Sequence, residues 1–168
     1  MELRKLKQKD AVLMLEWMHD DSVVHSMGTD FSKKNLDDCY TFISSSQTDL
    51  PCVHRAIVDD NDEYMGTVSL KNVDLKNKNA EFAITVRKCA MGKGYSVYGM
   101  NEIIRLGFEK YNLETIYWYV SKRNARAIRF YEKNGYKEMD CNTILSQGEK
   151  QVDDFKWFAI QQSESLCR

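Results

Sequence analysis

The chain has 168 residues, 43% of them apolar and 29% charged, with a formal net charge of −1. That is one domain's worth of an ordinary globular protein, and the charge balance offers nucleic acid no general attraction. No apolar run approaches the roughly 20 residues of a membrane helix. The start, Met1-Glu2-Leu3-Arg4-Lys5, lacks a signal-peptide apolar segment, and five scattered cysteines without a C-x-x-C spacing form neither a disulfide framework nor a zinc site; a cytoplasmic protein without a metal is expected.

In chain order, residues 2–6 read as a first strand. A helix is expected over residues 8–19, with Ala11, Met14, Leu15 and Met18 on one face and Trp17 at its edge. Ser32 suits the N-cap of a second helix whose apolar side is Leu36, Tyr40 and Ile43. From Cys52 the period changes to two, giving a hairpin of residues 52–58 and 64–73 around Asp59-Asp60-Asn61-Asp62. A polar turn at residues 76–79 leads into the strand Phe82-Ala83-Ile84-Thr85-Val86, then Met91-Gly92-Lys93-Gly94-Tyr95, then a helix to Tyr111. Its buried face is Val97, Ile104, Phe108 and Tyr111, with Met100, Ile103 and Gly107 beside them. A strand at 115–120 and a helix from Asn124, C-capped by Gly135, follow. A last hairpin of residues 136–145 and 152–160 turns at Ser146-Gln147-Gly148-Glu149. Residues 1–160 read as a single domain and 161–168 as a frayed tail.

The stretch around the paired glycines carries the chemistry. Two glycines let backbone N–H groups turn toward one point, the helix start leaves further N–H groups free, and the macrodipole adds partial positive charge. Such a loop suits an anion. A dinucleotide fold would need a third glycine where Val97 stands, and a P-loop would need wider glycine spacing followed by Lys-Ser or Lys-Thr.

A second motif lies downstream: Asn124, Ala127-Ile128, Phe130-Tyr131-Glu132-Lys133 and Gly135-Tyr136. Together with Gly92-Lys93-Gly94-Tyr95, over residues 80 to 137, the chain resembles the GCN5-related N-acetyltransferase (GNAT) superfamily. Ala80-Glu81-Phe82 and Gln147-Gly148-Glu149-Lys150 with Asp154 suggest the branch of ribosomal-protein, polyamine and amino-sugar acetyltransferases. The resemblance implies an α/β (α+β) fold, with a mixed, mostly antiparallel central sheet of about seven strands flanked by four helices. It implies acetyl-CoA as co-substrate and a primary amine as acceptor: a protein N-terminus, a polyamine or an amino sugar. A CoA-binding module without catalysis is the alternative, and a homodimer is left open.

By this resemblance the pyrophosphate meets Met91, Gly92, Lys93, Gly94, Tyr95 and Ser96, with Lys93 acting either by its charge or by its amide alone. The pantetheine arm follows Ile84, Thr85 and Val86, where two parallel strands are expected to splay near Ile84 and Tyr119. Asn124 contacts the arm, caps the next helix, or does both; Ala127 and Arg129 complete the cofactor set, and Arg126 or Arg129 faces the adenosine 3′-phosphate. Glu81 is either the base that deprotonates the amine or one half of a salt bridge to a neighbouring strand. Tyr131 matches the family position whose phenol protonates the leaving thiolate; its other reading is packing. Cys89 and Met91 depart from the family's usual Gln or Arg and Arg, so Arg87, Lys88, Arg126 and Arg129 are expected to supply charge instead. The acceptor side is expected to include Trp17, His19, Asp20, Asp21, His25, Asp37, Asp38 and Tyr40.

Overall fold

Strands β1 (Glu2–Arg4), β2 (Val53–Val58), β3 (Tyr64–Asp74), β4 (Asn79–Val86), β5 (Thr115–Ser121), β6 (Glu138–Met139) and β7 (Phe155–Gln161) form one sheet in the order β1-β2-β3-β4-β5-β7-β6. The structure is a computed structural model describing residues 1–140 and 154–165. Neighbouring strands are antiparallel except β4 and β5, which are parallel. The helices are α1 (Ala11–Met18), α2 (Asp21–Val24), α3 (Leu36–Ser45), α4 (Tyr95–Tyr111), α5 (Ala125–Lys133) and α6 (Gln162–Ser165). The mixed, mostly antiparallel sheet is the one the resemblance implies.

Strand alternation divides the core into two layers. On one side Val53, Ile57, Val68, Leu70 and Phe82 meet Met100, Ile103, Ile104 and Phe108 of α4. Gly99 and Gly107 let this helix lie close to the sheet: a Cβ at Gly107 would come within 2.8 Å of Ile116 Cδ1, and one at Gly99 would run into Ile57. On the other side Ala56, Val58 and Tyr64 pack on Ala11, Met14 and Trp17 of α1 and Cys39 and Ile43 of α3.

Several details differ from the sequence reading. Val97, expected on the buried face of α4, is 38% exposed. Trp17 sits inside the core, 5% exposed, and its Nε1 donates to the Tyr64 hydroxyl at 3.1 Å, whereas Leu15 and Met18 are half-buried. The second helix starts four residues after Ser32, capped by Asn35: Asn35 Oδ1 accepts the Asp38 N–H at 3.1 Å and Asp38 Oδ2 accepts the Asn35 N–H at 3.0 Å. This reciprocal pair satisfies two helix-end donors at once, and it turns Cys39 and Ile43 inward while Leu36 and Tyr40 remain exposed. Residues 162–165 of the expected tail form α6. Of the last hairpin, β6 and β7 pair through Glu138↔Phe158 and Met139↔Trp157; the turn at 146–149 and the motif at 147–150 lie outside the described residues. Among the described residues no helix is long and apolar enough to cross a membrane.

Candidate active site

Strands β4 and β5 pair through Asn79↔Thr115, Ala80↔Ile116 and Glu81↔Tyr117 and then part, although β4 continues to Val86 and β5 to Ser121. Each strand stays with its outer neighbour: Val86 pairs with Gly66 on β3, and Ser121 with Phe155 on β7. Gly66 is what allows the first of these, because a Cβ there would collide with the Thr85 carbonyl and stand 2.9 Å from Val86 Cα. The end of β4 is further tied down by Arg87. Its guanidinium donates to Glu16 (2.9 and 3.1 Å), Glu63 (2.7 Å) and the Tyr64 carbonyl (3.0 Å). Arg87 was expected to lend charge to a phosphate; it is 7% exposed and fully engaged in holding the strand.

A cavity of about 200 Å³ opens where the strands part. Ile84, Thr85 and Val86 form one wall and Met91, Gly92 and Ser96 another. Asn124, Ala127 and Tyr131 close it from α5. Thus the strand end, the glycine loop and the second motif, apart in sequence, meet at one place. Val23, Ser26 and Met27 also line it, and nothing in their spacing announced this.

Gly92 and Gly94 have φ of 74° and 88°, the left-handed region that glycine enters without cost. Gly94 caps α4, and its carbonyl accepts the Tyr98 N–H at 3.0 Å. The N–H groups of Gly92, Gly94, Tyr95, Ser96 and Val97 have no carbonyl partner among the described residues. Lys93 is exposed beside them. Lys93, Gly94 and Tyr95 belong to the loop's outer side and do not line the cavity. Of the two arginines offered for the 3′-phosphate, Arg126 lines the cavity and Arg129 does not. The Arg126 guanidinium lies 3.1 Å from Met91 Sδ and 3.3 Å from the Ser22 carbonyl, so α5 brings cationic charge to the position where residue 91 has none.

Asn124 fills its capping role: its Oδ1 accepts the Ala127 N–H at 3.1 Å while the residue lines the cavity. Tyr131 is 7% exposed and packed against Trp118 and Phe158. Burial, then the neighbouring Tyr136, pushes its phenol up, so the hydroxyl keeps its proton across the neutral range. Glu81 lies 3.7 Å from Lys71 Nζ on β3 and accepts from Asn72 Nδ2 at 3.3 Å. The salt bridge left open in the sequence is therefore present, and Glu81 lines neither this cavity nor the next.

A second cavity, about 300 Å³, lies under α1 and α3 and shares Ile84 and Thr85 with the first. Trp17 and Asp38, expected on the acceptor side, line it. His19 and Asp21 border a separate surface hollow. Asp20 caps α2, accepting the Ser22 N–H at 2.9 Å. The His25 ring nitrogen Nδ1 meets the Asp21 carbonyl at 3.1 Å. Asp37 and Tyr40 are exposed. The polar floor of this cavity, Thr67, Ser69 and Lys71 on β3 with His54 on β2, was missed. A run of alternating polar residues on a central strand, which a plain core would make apolar, was the signal for it.

A sheet that opens between two parallel strands beside a glycine-led helix leaves a strand edge and a row of N–H groups free to hold an elongated ligand with an anionic group. The chain belongs to the GNAT acetyltransferase family: a family model described as "Acetyltransferase (GNAT) domain" matches residues 1–137. Spermidine N(1)-acetyltransferase of Vibrio cholerae is 31% identical over 85 residues, 50% of this chain and 49% of that protein. Its counterpart in Escherichia coli K12 is 32% identical over 82 residues, 49% of this chain and 44% of that protein. The chain thus matches about half the length of these curated relatives. Acetyltransferase PseH of Campylobacter jejuni is 23% identical over 156 residues, 84% of this chain and 95% of that protein. The crystal structure of the V. cholerae spermidine N-acetyltransferase in complex with CoA and spermine superposes with a TM-score of 0.79 at 22% identity, covering 98% of this chain and 97% of that one.

Proposed function

We propose that this chain is an acetyl-CoA-dependent N-acetyltransferase that moves the acetyl group directly to a primary amine through a ternary complex. The observation that carries this reading is that two cavities share Ile84 and Thr85 in their walls, and that Tyr131 lines the first of them. One cavity is bordered by anion-seeking N–H groups, so a cofactor and an acceptor can reach one point from two directions. The spermidine acetyltransferase relatives, and the neighbouring structure that holds CoA and spermine, support the co-substrate and the amine class. The single domain of residues 1–160, with 161–168 as its tail, is taken as the working unit. The cytoplasm is taken as its compartment, in keeping with free thiols at Cys39, Cys52 and Cys89.

In this scheme Gly92, Gly94, Tyr95 and Ser96 offer N–H groups to the pyrophosphate, with Met91 packed beside it. Lys93, Arg126 and Arg129 supply positive charge from the rim. The free edge of β4 at Ile84, Thr85 and Val86 pairs with the amides of the pantetheine arm, which takes the place of the absent β5 rungs. Asn124 and Ala127 hold the arm from α5. The Tyr131 phenol donates its proton to the departing sulfur. Glu81 takes a proton from the ammonium form of the acceptor; since it lines neither cavity, it acts through water. The non-catalytic alternative is disfavoured because Tyr131, whose phenol keeps its proton, lines the first cavity, which a binding module would not need.

Calorimetry with CoA, and thiol release from acetyl-CoA with an amine panel, test the proposal. Micromolar CoA binding with amine-dependent thiol release is expected. No CoA uptake at millimolar concentration would overturn it.

A further inference from the structure

A third hollow, of about 190 Å³, lies between α4 and α5 and is lined by Val97, Met100, Asn101, Phe130, Asn134 and Tyr136. Resting on the acetyl-transfer reading, we propose that this hollow seats the purine of the thioester cofactor and that Asn101 and Asn134 read the amino edge of the base. The donor is then a free adenine-nucleotide thioester, and a thioester carried on a protein-bound phosphopantetheine arm, which has no purine, is a poor one.

The hollow continues the cofactor cavity. Phe130 lines both, and Val97 in the hollow directly follows Ser96 in the cavity. A ligand whose diphosphate rests on the free N–H groups at the start of α4 therefore has Asn101 about one helical turn further along. Val97 is 38% exposed and Phe130 half-buried, so each helix offers the hollow an apolar wall, with the buried Met100 and Tyr136 beneath. The volume falls below the usual range of drug-sized sites, which suits a single ring system.

Two carboxamides supply the polar contacts. Asn134 Nδ2 donates to the Phe130 carbonyl at 2.7 Å. A carbonyl only accepts, so this bond fixes which end of the carboxamide is nitrogen and leaves Oδ1 as an acceptor. Asn101 is exposed, its side chain has no hydrogen bond among the described residues, and it can turn either end toward a ligand. The exocyclic amine of adenine donates while its ring nitrogens accept, a pattern that a carboxamide matches with two bonds. Hypoxanthine carries an oxo group in place of the amine and would set oxygen against Asn134 Oδ1. Among the described residues no charged side chain lines the hollow, as suits a neutral base. Arg129 and Lys133 are exposed one position before Phe130 and Asn134 on α5, where a phosphate on the ribose can meet them.

Calorimetry on the full chain tests this without turnover. The probes are CoA, its hypoxanthine analogue, and 4′-phosphopantetheine, which lacks the nucleotide. Wild type is expected to bind CoA about tenfold tighter than the hypoxanthine analogue, the size of one paired base edge. Asn134→Ala brings that ratio within about twofold of unity, and because the ratio is taken within one variant, any loosening at the end of α5 cancels. Val97→Trp fills the hollow and weakens CoA about tenfold, while the affinity for 4′-phosphopantetheine stays within about twofold. Equal wild-type affinity for CoA and the analogue, or an unchanged ratio in Asn134→Ala, overturns the reading of the base edge. Undiminished CoA affinity in Val97→Trp overturns the seat itself. Acetyl transfer stands in all of these cases, whereas a wild type that takes up no CoA overturns both.

Discussion

Replacing Tyr131 by phenylalanine removes one oxygen from a ring whose packing against Trp118 and Phe158 stays intact. If the phenol protonates the departing sulfur, Tyr131→Phe lowers kcat by about 100-fold, within the range of general-acid catalysis. CoA affinity, measured by calorimetry, stays within about twofold, since the proposed diphosphate grip, at the glycine loop, lies elsewhere. Glu81 is separable by pH. Glu81→Gln is expected to cost about 100-fold in kcat/KM at pH 7, where an amine with pKa near 10 is almost wholly protonated. The gap should close toward pH 10, where the acceptor sheds its proton unaided. A pH-independent deficit would assign Glu81 to structure through its Lys71 contact. Tyr131 was readable because it sits inside a motif. The fixed role of Arg87 was not, since its partner Glu16 lies 71 residues away and the ion pair exists only once α1 and β4 are in place.

Among the elements, β3 carries more of the site than its position suggests. Gly66 permits the close passage of Thr85 and Val86, so Gly66→Ala forces backbone against backbone. A destabilisation of about 3 kcal/mol is expected, seen as a melting temperature lower by about 6–12 °C, together with weakened CoA binding. Gly92→Ala is the contrast: nothing lies within 4 Å of its Cβ, and the cost is that of a left-handed backbone, about 1–2 kcal/mol. The strands and α4 were legible because period-two and period-3.6 patterns are set by the residues themselves. On the inward face of α3 Ile43 was read correctly, but Cys39 is buried where Tyr40 was expected, since either spacing fits one side of a helix. The floor formed by Thr67, Ser69 and Lys71 looked like ordinary alternation, since which side of a strand becomes a cavity depends on helices that pack on it later.

For the molecule as a whole, Asp49 ties the loop before β2 to the far end of α4. It accepts from both Arg55 terminal nitrogens (2.9 and 3.0 Å), from Lys110 Nζ (2.9 Å) and from the Tyr111 hydroxyl (2.9 Å). The Arg55 hydrogen bonds, ahead of those from Lys110 and Tyr111, hold its carboxyl well below the usual carboxylate range. A depressed carboxylate contributes stability above its unfolded pKa of about 3.9 and loses it as pH falls toward the folded value. Asp49→Asn is therefore expected to have a lower urea midpoint than wild type at pH 7. The two midpoints should converge as the pH drops below about 4. Parallel curves down to the lowest accessible pH would show that the carboxylate's charge does not link the loop to the helix.

The three rungs joining β4 to β5 divide the sheet into two leaves on a short spine, one built from the chain before Val86 and the other from the chain after Thr115. Whatever lies between the leaves works as a splint. Occupancy at the glycine loop would then be felt as a loss of sway between the two halves, well beyond the atoms it touches.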